Sequence, residues 1–103
     1  MGLDFTILND KEEPIKYFDI GLQDHVDLME IAETLDTPLV LRMKEYHEHV
    51  IYQADEIDQL KNELSKILNT KKPNKSLIVV IEGLIKICDE AISLKTDIHV
   101  LVD

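Results

Sequence analysis

The chain of 103 residues contains no tryptophan, only three glycines and a single cysteine. The glycines at positions 2, 21 and 83 show none of the spacings of a phosphate-binding loop or a dinucleotide fingerprint, which argues against nucleotide chemistry. A lone cysteine cannot form an intrachain disulfide, and Cys88 stands in an apolar segment that is typical of a buried structural thiol. The sequence therefore predicts no cofactor.

Aromatic residues and long apolar runs are also scarce. Aromatics make up 5% of the chain, so the core should consist mainly of leucine, isoleucine and valine, without platforms for stacking bases or sugars. The longest apolar run, residues 77–81, is too short to span a bilayer, and the N-terminal segment lacks the pattern of a signal peptide. Because an unpaired cysteine suits a reducing compartment, we expect a cytoplasmic protein that forms one globular domain over residues 1–103.

Positive charge is scarce relative to negative charge. Aspartate and glutamate number 21 against 11 lysines and arginines, which gives a formal net charge of -10. Such a charge repels nucleic acid and anionic membranes, so neither is expected as a partner, and it attracts basic proteins. A simpler explanation, in which the acidity serves only solubility, stays open.

The beginning of the chain predicts a β-hairpin. Leu3, Phe5 and Ile7 alternate with polar residues, as in a strand with one buried face. The polar segment 9–14 ends in proline and predicts a turn, after which residues 15–20 form a second strand. At the other end of the chain, alternation over residues 98–102 predicts a terminal strand.

Between these strands, apolar residues recur at helical spacing. The pattern predicts a helix over residues 23–35, a short helix over residues 38–46 and a further helix that begins at Asp55. Thr37 precedes the short helix and is expected to cap it. Residues 49–53 predict a short strand.

The helix that begins at Asp55 has an apolar stripe, and its charged residues, including Glu63, are expected to face solvent. Residues 69–74 predict a loop, after which two alternatives arise: a buried helix over residues 76–94, or a strand over residues 77–81. Apolar residues keep their helical spacing through Ile92, which favours the helix. The predicted fold class is α+β, with the N-terminal hairpin and the C-terminal strand in a small, mainly antiparallel sheet packed against three or four helices.

Two groups of histidines resemble parts of catalytic or metal sites. His47 and His49 would point to the same side of a strand and could share a metal ion, yet no CxxC or HExxH motif accompanies them. His25 lies among acidic residues, but the chain offers no nucleophile or oxyanion donors around it, so a surface histidine paired with its neighbours is expected. The sequence therefore predicts no catalytic residue, no metal site and no enzymatic activity.

Acidic residues recur every three positions along the first predicted helix, and no lysine or arginine lies between Gly21 and Thr37. They are Asp24, Asp27, Glu30 and Glu33, followed by Asp36. The stripe predicts a docking surface for a cationic partner, and the alternative is a solvated helix face. Tight binding would also need anchors, meaning a few interface residues that contribute most of the binding energy. Tyr46 and Tyr52 are candidates if they are exposed, although buried edge tyrosines fit equally well.

The layout of the chain resembles that of small bacterial immunity proteins, which accompany polymorphic or contact-dependent-inhibition toxins. The resemblance is carried by the opening MGLDFTIL, the hairpin ending in DIG, the acidic helix and the closing strand ending in VLVD. It implies a protein that binds a cognate toxin, often a nuclease with a basic cleft, and blocks it. It brings no catalytic residues with it.

A second hypothesis is a small regulatory or structural subunit that acts by forming a homodimer. The terminal strand offers an apolar edge through which two copies could associate. This hypothesis predicts a concentration-dependent dimer and no toxin partner.

Overall fold

The computed structural model describes residues 2–44, 49–70 and 73–102, with the backbone alone at Val102. Its strands are β1 (Gly2–Leu8), β2 (Pro14–Gly21), β3 (Val50–Tyr52) and β4 (Ile98–Val102). They form one antiparallel sheet with the spatial order β2-β1-β4-β3. The predicted α+β class, with the N-terminal hairpin and the C-terminal strand in one sheet, is confirmed.

The helices are α1 (Leu22–Leu35), α2 (Pro38–Leu41), α3 (Ile57–Thr70) and α4 (Lys75–Leu94). Short 3₁₀ turns, Arg42–Lys44 and Ala54–Glu56, follow α2 and precede α3. The strand alternative for residues 77–81 is wrong, because these residues lie within the continuous helix α4. The buried apolar side chains of this helix recur at helical spacing and include Leu77, Ile81, Leu84, Cys88 and Ala91.

The loop expected over residues 69–74 is shorter than the sequence indicates. Helix α3 continues to Thr70, and Asn74 already caps α4, since its side-chain oxygen accepts a hydrogen bond of 2.8 Å from the N–H of Leu77. This side-chain cap satisfies one of the N–H groups that lack a partner within the first helical turn.

The turn of the hairpin is held by Asn9. Its side-chain oxygen accepts hydrogen bonds of 2.9 Å from the N–H groups of Lys11 and Glu13, and its own N–H bonds to the carbonyl of Glu13. Glu12 takes a left-handed backbone conformation with φ of 60° within this turn. An asparagine that bonds nearby backbone groups is a common way of closing such a turn.

The terminal strand β4 is an interior strand. One side pairs with β1, as in Phe5 opposite Val100, and the other pairs with β3, as in Tyr52 opposite Ile98. Strand neighbours on both sides therefore leave β4 without the free edge that the sequence suggested. The edge strands of the described sheet are β2 and β3.

Helices α1 and α4 contact strands β1 and β2, and the buried apolar side chains of the sheet point towards them. Alternate strand positions such as Leu3, Phe5 and Val100 enter this core. The ring of Phe18, in β2, lies against Gly83, in the middle of α4. The missing side chain at position 83 lets the helix lie closely over the sheet.

The start of α2 is capped by a distant residue. Glu63 of α3 accepts hydrogen bonds at Oε1 from the N–H groups of Leu39 and Val40, at 2.9 and 3.0 Å. Glu63 is 4% exposed, so the prediction that it faces solvent is wrong. Thr37 does not cap the helix with its side chain, because its hydroxyl donates instead to the carbonyl of Ala32, at 3.3 Å. The 3.6-residue period alone could not reveal this long-range cap.

Within the described residues, no helix is both long enough and apolar enough to cross a membrane.

Candidate protein-binding surfaces

The first candidate surface is the acidic side of α1. We call its five carboxylates, Asp24, Asp27, Glu30, Glu33 and Asp36, the α1 acidic surface. Three of them, Glu30, Glu33 and Asp36, are exposed, and the other two are half-buried. The structure thus places the predicted residues along one helix and its C-cap.

Two carboxylates of the α1 acidic surface accept hydrogen bonds within the chain. The hydroxyl of Ser76, at the start of α4, donates to Asp24 over 2.8 Å, and the side-chain amide of Gln23 donates to Asp27 over 3.0 Å. These bonds orient the half-buried end of the surface. The exposed end, towards Asp36, is the part most accessible to a partner.

Positive charge does reach this surface from other parts of the chain. Lys44 lies 3.0 Å from the carboxylate of Glu33, and Lys66 donates to the carbonyl of Leu35 at 3.1 Å, beside Asp36. The absence of lysine and arginine between Gly21 and Thr37 therefore does not leave the acidic helix without nearby positive charge. Exposed pairs such as Lys44 with Glu33 contribute little stability, so a basic partner can displace the lysine at low cost.

The end of α1 favours cations for a second reason. Asp36 caps the helix in a left-handed conformation with φ of 55°, where the C-terminal carbonyls and the helix dipole add negative charge. An aspartate at this position repels the dipole. A bound lysine or arginine relieves that repulsion, as Lys66 already does in part.

His25 is buried rather than exposed, which contradicts the expectation of a surface histidine. It is 5% exposed, and its Nε2 lies 2.6 Å from the carbonyl oxygen of Met43. Because a carbonyl oxygen only accepts, Nε2 carries the hydrogen of this hydrogen bond. The buried face of α1 is therefore rotated relative to the predicted one. Leu22 and Val26, apolar residues at the start of this helix, are 50% and 42% exposed.

Tyr52 is also buried and cannot serve as a binding anchor. It is 0% exposed, and its hydroxyl donates to the carbonyl of Leu39 over 2.6 Å. Burial is the main cause that raises the pKa of this phenol. Of the two alternatives for this residue, the buried edge tyrosine is correct, and Tyr46 lies outside the described residues.

The positions weighed for chemistry do not form a cluster where the structure describes them. His49 is exposed, and its predicted companion His47 lies outside the described residues. No three histidine, cysteine, aspartate or glutamate side chains in the described ranges are placed to hold a metal ion. Cys88 is buried, and burial raises the pKa of its thiol to about 12, as expected of a structural cysteine.

The second candidate surface was not expected from the sequence. We call it the open sheet face, meaning the side of the sheet opposite the core. One row of neighbours across the four strands consists of Tyr17, Thr6, His99 and Ile51. Tyr17 is 71% exposed, the largest exposure of any large apolar or aromatic residue described.

The open sheet face contains a cavity of about 470 Å³. Its acidic walls are Asp4, Asp19 and Glu12, and Tyr17 forms another wall. The remaining lining is Thr6 with the apolar residues Leu8, Pro14 and Leu101. Asp4 and Asp19 are directly opposite each other in the β1–β2 pair. We call this feature the sheet cavity.

A sequence signal for the sheet cavity did exist. Once Leu3, Phe5 and Ile7 are assigned to the core, the hairpin must place Asp4 on the opposite face, and a tight turn brings Asp19 across from it. The register depends on the turn and on a bulge near Leu8, which no pattern in the sequence specifies.

Comparison with protein-family models, curated proteins and solved structures finds no match to this chain.

Proposed function

We propose that this chain is a non-catalytic binding protein that neutralises a cognate bacterial toxin domain by covering a basic surface of that toxin. The observation that carries the proposal is the α1 acidic surface, where Glu30, Glu33 and Asp36 are exposed on one helix and its cap. A nuclease-type toxin must bind a polyanion, so its cleft is positive. An acidic helix is complementary to such a cleft.

The net charge supports the same mechanism at longer range. A charge of -10 attracts a basic domain before contact and so accelerates the encounter. Association between oppositely charged proteins reaches about 10⁸–10⁹ M⁻¹s⁻¹ at low salt and falls steeply as salt is added. An immunity protein benefits from such speed, because it must occupy the toxin before the toxin finds its substrate.

The alternative of a homodimeric regulatory subunit has one observation in its favour. Strand β2 has eight residues and lies at an edge of the sheet, where its outer backbone groups are available to a second strand. However, Pro14 and Lys16 stand on this strand, and both residue types protect an edge against pairing. Two copies that each carry a charge of -10 also repel each other, so the basic partner is favoured.

The test begins with the gene directly upstream. If that gene encodes a large secreted protein with a variable C-terminal domain, this domain is co-expressed with the chain in cells that the domain alone kills. We expect survival, and we expect a stoichiometric complex on gel filtration. Cell death despite expression of the chain, with no complex, would contradict the proposal for that pair.

Charge variants then test the surface itself. Glu30→Gln with Glu33→Gln should slow association with the toxin by about tenfold at low salt, since it removes two of the charges that steer the encounter. The control is Asp58→Asn with Glu82→Gln, which changes the net charge equally at exposed positions on α3 and α4. Equal effects from both pairs would show that only net charge matters and would remove the α1 acidic surface from the mechanism.

A further inference from the structure

We propose that the sheet cavity binds an arginine side chain of the basic partner and so anchors the complex. This inference rests on the proposed function, because it identifies a second contact with the same partner. The α1 acidic surface would steer the encounter, whereas the sheet cavity would hold a single side chain. A concave site with an aromatic wall is the kind of position at which a few residues dominate a protein interface.

The carboxylates of the sheet cavity define the charge of its occupant. Asp4 and Asp19 are cross-strand partners, and the side chains of such a pair lie about 4.5–5.5 Å apart at their β-carbons. Like charges directly opposite each other destabilise a sheet. A guanidinium beside the two carboxylates adds a positive charge where negative charge is concentrated, and its planar fork of donors suits carboxylate oxygens better than an ammonium does.

The other walls suit the rest of an arginine. Tyr17 is 71% exposed, so its ring face is available to stack on a guanidinium. Leu8, Pro14 and Leu101 give an apolar wall against which the methylene stem can pack. The volume of about 470 Å³ falls within the range of about 300–1,000 Å³ that is typical of binding pockets. The cavity is therefore suited to a whole side chain.

The backbone that carries the third carboxylate, that of Glu12, is held by the hairpin turn. Glu12 lines the sheet cavity from a left-handed backbone position, and its N–H donates to the carbonyl of Asn9 over 2.9 Å. The side chain of Asn9 bonds the backbone on both sides of Glu12. Because the turn is already ordered, little conformational entropy is lost when the occupant binds.

The experiment uses the full chain labelled with ¹⁵N and titrated with N-acetyl-arginine N-methylamide at constant ionic strength. We expect saturable shifts of the amide signals of Thr6, Tyr17 and Asp19. The uncharged citrulline analogue, which has the same shape, should produce much weaker shifts. Equal shifts with citrulline, or arginine shifts confined to α1, would overturn the inference.

Variants assign the binding to the cavity. Asp19→Asn and Tyr17→Leu, both at exposed positions where folding should be unaffected, are each expected to weaken arginine binding by about fivefold. Glu82→Gln removes one charge from an exposed position of α4, outside both candidate surfaces, and should leave the dissociation constant unchanged. An Asp19→Asn effect no larger than that of Glu82→Gln would show that the probe responds only to net charge, and the inference would fail.

Failure of arginine binding to the sheet cavity can be distinguished from failure of the proposed function. If the toxin complex forms and arginine does not bind the sheet cavity, the further inference is wrong and the proposed function stands. If arginine binds the cavity but no toxin is neutralised, the proposed function is wrong for that pair. In the complex itself, Asp19→Asn should accelerate dissociation, whereas Glu30→Gln with Glu33→Gln should mainly slow association.

Discussion

The ring of Phe18 occupies the space in which a β-carbon on Gly83 would lie. Three ring atoms would overlap with that carbon, so a side chain at position 83 requires the whole ring to move. Glycine in the middle of a helix costs about 1 kcal/mol relative to alanine. The chain retains it here, and the close packing of α4 on β2 is the physical reason.

The contact between Phe18 and Gly83 predicts that the effect of Gly83→Ala on the free energy of unfolding changes sign when the Phe18 ring is removed. Gly83→Ala should lower the free energy of unfolding by about 1–3 kcal/mol, because overpacking outweighs the gain in helix propensity. In a Phe18→Ala background the same substitution should raise that free energy by about 1 kcal/mol, since only the propensity gain remains. Urea denaturation of the four proteins measures both values. Stabilisation by Gly83→Ala in the unmodified chain would show that the ring does not enforce glycine.

The buried carboxylate of Glu63 predicts a second stability effect. Glu63→Ala should lower the free energy of unfolding by about 2 kcal/mol or more, because the N–H groups of Leu39 and Val40 lose their acceptor. Glu63→Gln should cost about half as much, since the amide oxygen can still accept. Thermal denaturation compares these with Glu82→Ala, an exposed change on α4 that should be close to neutral. If Glu63→Ala matches Glu82→Ala, the cap has no energetic role.

The pair of Arg42 and Glu56 predicts a pH dependence. Two hydrogen bonds from the guanidinium, at 2.6 and 2.8 Å, and one from the N–H of Gln53 lower the pKa of Glu56 from 4.5 to about 2. A depressed carboxyl pKa means that the stabilising contribution is complete above pH 4.5 and is lost as the pH falls towards 2. Arg42→Met should therefore raise the pKa of Glu56 towards its ordinary value.

Carboxyl-carbon NMR of Glu56 across this pH range checks the prediction directly. The Arg42→Met variant should also lose less stability than the unmodified chain between pH 4.5 and pH 2. Arg42→Lys keeps the charge but loses the two-point contact, so its Glu56 pKa should be intermediate. An unchanged Glu56 pKa in Arg42→Met would mean that the guanidinium is not the cause of the shift.

Burial of Cys88 predicts a thiol that does not react in the folded chain. Its pKa of about 12 leaves almost no thiolate at pH 8, and its side chain is 1% exposed. We expect slow reaction with a disulfide reagent in buffer and fast reaction in guanidinium chloride. The control is Ser93→Cys in a Cys88→Ala background, which places a thiol at an exposed position of the same helix. Equal rates for the two thiols would contradict the buried assignment.

The sheet and the long helices could be predicted from the sequence because each depends on a local pattern. Alternation located β1 and β4, and the spacing of Leu77, Ile81 and Leu84 identified α4 in spite of its β-branched residues. These patterns are reliable guides because shifting a strand or helix by one residue relative to its buried face would expose several apolar side chains at once.

The candidate surfaces were only partly predictable, since they depend on tertiary contacts. Lys44 reaches Glu33 from outside α1, and Glu63 turns inwards to meet α2. His25 lies in the core, where its Nε2 donates a hydrogen bond to the carbonyl of Met43. A polar residue at a buried position has no periodic signature, and its partner lies far away in the sequence.

The central position of β4 also constrains the order in which the molecule can fold. Strands β1 and β3 have no hydrogen bonds to each other and are joined only through β4, which is synthesised after both. Until β4 leaves the ribosome, the chain has a hairpin at one side and a lone three-residue strand at the other. Closing the sheet pairs residues almost one hundred positions apart, such as Leu3 with Val102, which is a slow kind of contact to form. The sheet therefore stays incomplete until β4 has joined β1 to β3, and the pairing of β4 should be a late step in folding.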